Sequence, residues 1–140
     1  TPVARTRFWA LIKQLAEDGK TIFVTTHYMD EAEQCGRIAL MRTGKIIALD
    51  GPENLKKTTF PDPIIELNPK STIPSELIEQ LRTNKAVDSI DSYGMKYHLI
   101  MRDPQGWNRL SVEIAPYFVI RQIPPSLEDV FIRLVEGVTR

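Results

Sequence analysis

The chain has 140 residues, 42% hydrophobic and 26% charged, and contains no apolar run near the roughly eighteen residues of a membrane-spanning helix. Eighteen Lys and Arg balance eighteen Asp and Glu. Residues 1–61 hold nine basic and seven acidic side chains (+2) and residues 62–140 hold nine and eleven (−2), so neither half has the basic excess of a nucleic-acid or anionic-membrane binder. The lone Cys35 excludes an internal disulfide and suits a reducing, cytoplasmic setting, and the start TPVARTRFWALIK shows neither a secretory leader nor an initiating methionine, which is the pattern of a fragment.

In chain order, Thr1 and Pro2 predict a helix start, because a threonine hydroxyl caps a free N–H and proline is preset for the first turn. Phe8, Leu11, Ile12, Leu15 and Ala16 recur at helical spacing on one face, and Asp18 and Gly19 end the helix. Thr21 to Thr26 (TIFVTT) is short, β-branched and apolar without alternation, which predicts a strand covered on both sides, as in a parallel sheet. His27 follows at the junction to a short helix, Met29 to Cys35, whose first turn carries Asp30 and Glu31. Arg37 to Arg42 and Lys45 to Asp50 predict a hairpin turning at Thr43 and Gly44, where glycine supplies positive φ. Gly51 and Pro52 open a short helix to Lys57. The stretch TTFPDP then interrupts regular structure and places a boundary near residue 60.

Beyond it come a strand (Ile64 to Leu67), a helix (Ser75 to Arg82), two strands (Ala86 to Ser92, Lys96 to Met101), a helix (Pro104 to Ala115) and a strand (Phe118 to Ile123). The order βαββαβ is the ferredoxin-like arrangement, four antiparallel strands with two helices on one face. A last helix, Leu127 to Gly137, follows Pro124, Pro125 and Ser126, and its stripe of Leu127, Val130, Phe131, Leu134 and Val135 has to dock on something.

One constellation looks chemical: Thr25, Thr26 and His27 at a strand end, followed by Asp30, Glu31 and Glu33. Taken alone, a histidine there reads as a hydrogen-bonded structural residue. The whole segment FVTTHYMDEAEQCGRIALMRTGKIIALDGP, however, resembles the switch (H-loop) region of ABC transporter ATPases, with Thr-His spaced from Glu31-Ala32-Glu33, Arg37-Ile38-Ala39 and Gly44-Lys45-Ile46 as in that family, over residues 1 to about 57. IPPSLEDVFIRLVEG resembles, more weakly, the closing segment of many such ATPases, after a small accessory domain.

The resemblance implies that His27 reaches the γ-phosphate of ATP and the attacking water as a catalytic residue. It also implies that Thr1 and Pro2 end a D-loop crossing to a partner subunit, with Thr1 standing where the family usually has aspartate. Thr1 and His27 are thus the expected nucleotide-side residues, with no metal ligand. The sequence has no G-x-x-x-x-G-K-[ST] loop, no signature loop and no strand ending in paired acids, elements that precede the D-loop in the family. ATP and Mg2+ are accordingly expected in the parent subunit and not in this chain alone, which is expected to be inactive.

The implied organisation is an α/β region at 1–57, the C-terminal part of a P-loop nucleotide-binding domain. A linker at 58–63 and a ferredoxin-like α+β domain at 64–140 follow. The implied partners are a second ATP-binding subunit in a homodimer and a transmembrane permease, at the inner face of the cell membrane, in export. The alternative is that residues 62–140 are a regulatory module that binds a small ligand or pairs with its copy, two roles between which fold alone does not choose. An RNA-binding version of the same topology lacks the basic charge and basic-aromatic strand motif. Ser126, Glu128 and Asp129 read as cap and dipole residues, Trp107, Tyr93, Tyr97 and Tyr117 as packing, and Cys35 with His98 gives no metal-ligand spacing; His98, within a strand, is outward-facing or hydrogen-bonded.

Overall fold

A computed structural model describes residues 1–139. Its elements run α1 (Pro2–Glu17), α2 (Met29–Ala32), β1 (Ile38–Arg42), β2 (Lys45–Asp50), α3 (Pro52–Thr59), β3 (Ile64–Pro69), α4 (Leu77–Arg82), β4 (Val87–Tyr93), β5 (Lys96–Met101), α5 (Pro104–Ile114), β6 (Phe118–Ile123) and α6 (Leu127–Thr139). The fold is mixed α/β with antiparallel sheets: a β1-β2 hairpin, and a four-stranded sheet in the order β4-β5-β3-β6.

The larger sheet is apolar on both faces, which explains why β3 starts Ile64-Ile65 without alternating with polar residues. Side chains of successive strand residues point to opposite faces. Ile65, Leu67, Leu99, Met101 and Phe118 pack with Leu77 and Leu81 of α4 and Trp107, Leu110 and Ile114 of α5. Ile64, Ile100 and Ile123 belong to a second core with Leu127 and Val130 of α6, Leu55 of α3 and Ile38 and Leu40 of β1. A register shift between Val87 and Ser89 lets both Val87 and Ile90 face the first core despite their odd spacing. Local signals set the ends: the Asp103 carboxylate accepts from the Gln105 and Gly106 amides at the start of α5, and Gly94, with φ 61°, turns β4 into β5.

In the first third, Thr1 caps α1 as its sequence predicts, its hydroxyl accepting from the Ala4 amide at 3.1 Å, and Gly19 leaves the helix with φ 89°. The strand expected over residues 21–26 does not form. The chain runs irregularly from Lys20 to Tyr28, and Phe23 is 89% exposed. A strand of this kind depends on ladders with neighbours on either side, and neither sheet includes residues 21–26. The apolar stripe of α1 is only partly covered: Phe8 and Leu11 are exposed, Ile12 and Leu15 half-buried, and Trp9, off the stripe, is the helix's one buried residue. The helix expected to reach Cys35 ends its α-helical part at Ala32, and the Gln34 and Cys35 amides tighten to bonds with the Glu31 and Ala32 carbonyls.

At the β1-β2 turn, both central residues are left-handed, Thr43 at φ 52° and Gly44 at φ 75°. This is the type I′ geometry that matches strand twist, but a β-branched residue is costly in it. Thr43→Asn should therefore raise the unfolding free energy by about 1 kcal/mol in chemical denaturation, whereas an unchanged or lower value would contradict the strained-turn account.

Candidate functional site

His27 sits on the irregular segment just before α2, and its imidazole is exposed. Its ring lies beside that of Tyr28, centroids 4.1 Å apart with planes at 38°. Neither ring nitrogen has a hydrogen-bond partner among the described residues, so the nitrogens are available to a ligand. The loop below is shaped by Thr26, whose hydroxyl oxygen accepts from the Tyr28 amide at 3.0 Å and donates to Glu31 Oε1 at 3.4 Å.

Thr1 is spent as the cap of α1, and no hydrogen bond joins it to His27 among the described residues. Their elements are linked instead through Arg5 of α1, whose guanidinium lies 3.1 Å from Asp30 and 3.9 Å from Glu31. The predicted constellation is thus divided. Thr26 and Glu31 shape the His27 loop, Asp30 and Glu31 hold it to α1, and Glu33 turns the other way. Glu33 Oε2 accepts from Lys56 Nζ of α3 at 2.8 Å, while Oε1 accepts from the Leu127 amide of α6 at 3.2 Å. Burial disfavours the Lys56 ammonium, but Glu33 and then Glu53 outweigh it and hold its pKa above the ordinary lysine value.

A second polar cluster lies where α6 meets the sheet. His98 Nδ1 is 2.7 Å from Asp129 Oδ1, and Tyr93 stacks on His98 with centroids 3.8 Å apart. The Ser126 amide and hydroxyl both donate to Asp129 Oδ2, and the Asp129 amide donates to the Ser126 hydroxyl, a reciprocal cap of the predicted kind. Burial raises the Asp129 pKa, but hydrogen bonds from His98, Ser126 and Tyr93 prevail and hold the carboxyl below the ordinary range. Burial, followed by the hydrogen bond to Asp129 and then its charge, pushes the Tyr93 phenol well above its usual value. His98 is therefore hydrogen-bonded, one of the two alternatives its strand position left. The adjoining cavity, about 10 Å3, has room for little more than a water, so the cluster reads as an anchor.

Arg133 of α6 pairs with Asp88 of β4, which Arg102 also reaches at 3.2 Å. Against the effect of burial, these guanidiniums, Arg133 first, keep the Asp88 carboxyl below its ordinary pKa. Cys35 gains no activation, its pKa being raised by burial and then by Glu31. No three His, Cys, Asp or Glu side chains converge as metal ligands among the described residues, and no described helix is long and apolar enough to cross a membrane. The sequence has no G-x-x-x-x-G-K-[ST] loop of the kind that wraps a triphosphate.

The chain is similar in sequence to ATP-binding proteins of ABC and export systems. The chain is 33% identical to Nod factor export ATP-binding protein I of Rhizobium leguminosarum bv. viciae over 136 residues, which is 95% of this chain and 42% of that protein. It is 35% identical to the protein of the same name from Rhizobium etli over 134 residues, 95% of this chain and 41% of the relative. Over a shorter 69 residues, 46% of this chain and 12% of the relative, it is 46% identical to the probable multidrug ABC transporter ATP-binding protein YbhF of Escherichia coli. The chain thus spans well under half the length of these relatives. No family model and no solved structure matches it.

Because Asp129 ionises more readily in the folded chain than its ordinary value of 3.8, its contribution to stability is present above that pH and disappears as pH falls through the lower folded value. Asp129→Asn should lower stability by about 2 kcal/mol at pH 7 and flatten the decline in melting temperature between neutral and strongly acid pH. A variant whose acid decline is as steep as the native one would show that Asp129 does not carry the effect.

Proposed function

We propose, for a chain that belongs with the ABC transporter ATP-binding proteins, that it supplies the switch-histidine region of an export-type ATP-binding subunit together with an accessory domain. Kinship along nearly the whole chain with Nod factor export ATP-binding proteins is the observation that carries this reading. Within it, His27 donates a hydrogen bond to a γ-phosphoryl oxygen and orients the attacking water, a role its exposed, unpartnered imidazole suits. Thr1 and Pro2 lie at the end of the loop that meets a second subunit. ATP and Mg2+ are held by parts of the subunit other than these 140 residues, and those same parts cover Phe8, Leu11 and Phe23. Hydrolysis drives export through a membrane permease, with the subunit, paired with its copy, at the cytoplasmic face.

Residues 64–140 form the ferredoxin-like accessory domain in this reading, 58–63 the linker and 1–57 the nucleotide-side unit. Support comes from the order β3-α4-β4-β5-α5-β6, the sheet order β4-β5-β3-β6 and the packing of α4 and α5 on one face. α6 belongs to the second unit in sequence and packs against both in space.

The test is His27→Ala in a subunit that includes the phosphate and signature loops. Steady-state ATPase turnover should fall about a hundredfold or more. Near-native turnover would remove His27 from the mechanism.

A further inference from the structure

α2 has four residues, too few to hold a helical conformation unaided, so the place of His27, two residues before it, is set by what α2 docks on. On the apolar side, Met29 and Ala32 join the core containing Leu127 and Val130. On the polar side, Glu33 closes the contact. Leu127 is the first residue of α6, and its amide, like the other first-turn amides, has no partner within the helix. The reciprocal bonds of Ser126 and Asp129 occupy the Ser126 and Asp129 amides and leave that of Leu127 to Glu33 Oε1. A carboxylate there also meets the positive end of the helix dipole. Lys56 holds the other oxygen at 2.8 Å, so one side chain joins α2, α3 and α6. α6 in turn is fixed to the four-stranded sheet through Asp129 with His98 and through Arg133 with Asp88.

We propose that Glu33 is a positioning residue through which the four-stranded unit, by way of α6, sets the place of the His27 segment. The inference rests on the reading of His27 as the switch histidine only for its catalytic consequence; the mechanical link stands on the contacts alone. Movement of the accessory unit then regulates turnover by shifting the histidine, without touching nucleotide.

Hydrogen exchange on the 140-residue chain tests the link. Glu33→Ala should speed exchange about five-fold at the Leu127 amide and at amides 28–32, with the β4-β5 amides unchanged. Glu33→Gln, which keeps one acceptor oxygen for the Leu127 amide but loses the charge that holds Lys56, should restore part of the protection at Leu127 and 28–32. If the alanine variant loses protection throughout, Glu33→Asp, which keeps the charge but draws it back by one methylene, decides: faster exchange at Leu127 and 28–32 supports the link, and native exchange there overturns it. In the subunit with its upstream loops, Glu33→Ala should lower kcat about five-fold at unchanged KM for ATP, with partial recovery in Glu33→Gln. Native kcat in Glu33→Ala beside a crippled His27→Ala overturns this inference alone. Faster exchange in Glu33→Ala beside a fully active His27→Ala overturns the switch-histidine reading and leaves the link standing.

Discussion

The seating of α6 is the contact on which the rest of the architecture depends. Leu127 and Val130 are fully buried in one core with Leu40, Leu55, Phe60 and Ile64. Burial of such side chains is worth roughly 1.5–3 kcal/mol each, while a partly exposed ion pair contributes about 1 kcal/mol or less. The apolar stripe therefore supplies the attraction, and the polar contacts fix where along the stripe the helix rests. Glu33 meets its N-terminus, Asp129 and Arg133 face the sheet, and Arg42 donates to the Val135 carbonyl at 3.0 Å towards its C-terminal end, where a cation suits the dipole.

This division of labour accounts for what the sequence reveals and what it conceals. From β3 to α6 each element is announced locally: Asp103 before Pro104, Gly94 between two β-rich runs, prolines ahead of Ser126. The strands Lys96–Met101 and Phe118–Ile123 form with the predicted limits, and the stripe of α6 is legible although its docking site is not. In the first third TIFVTT has a strand's composition without forming one. Its composition reports an environment, burial on both sides, and a strand exists only where neighbours provide ladders.

The polar contacts were hidden for a different reason. His98 and Asp129 are 31 residues apart, and each has a sufficient local explanation, one as a strand residue and the other as part of a cap. Glu33 is visible as one of several acids after His27, yet nothing in its spacing says that it faces α6, 94 residues away, and not the histidine. Thr1 has a local duty too, as the cap of α1. His27 is the contrasting case: no folding role engages its ring beyond Tyr28, and its meaning comes from the family resemblance. Its imidazole is exposed, just before the short helix that Glu33 ties to α6.

Removing α6 is the most direct test of this account. In a chain ending at Pro125, hydrogen exchange should show amides 38–50 losing protection, because an isolated two-stranded hairpin is marginal in water, while β3 and β5 stay protected by the core they share with α4 and α5. Native protection of the hairpin without α6 would contradict the claim that this helix holds the two parts together.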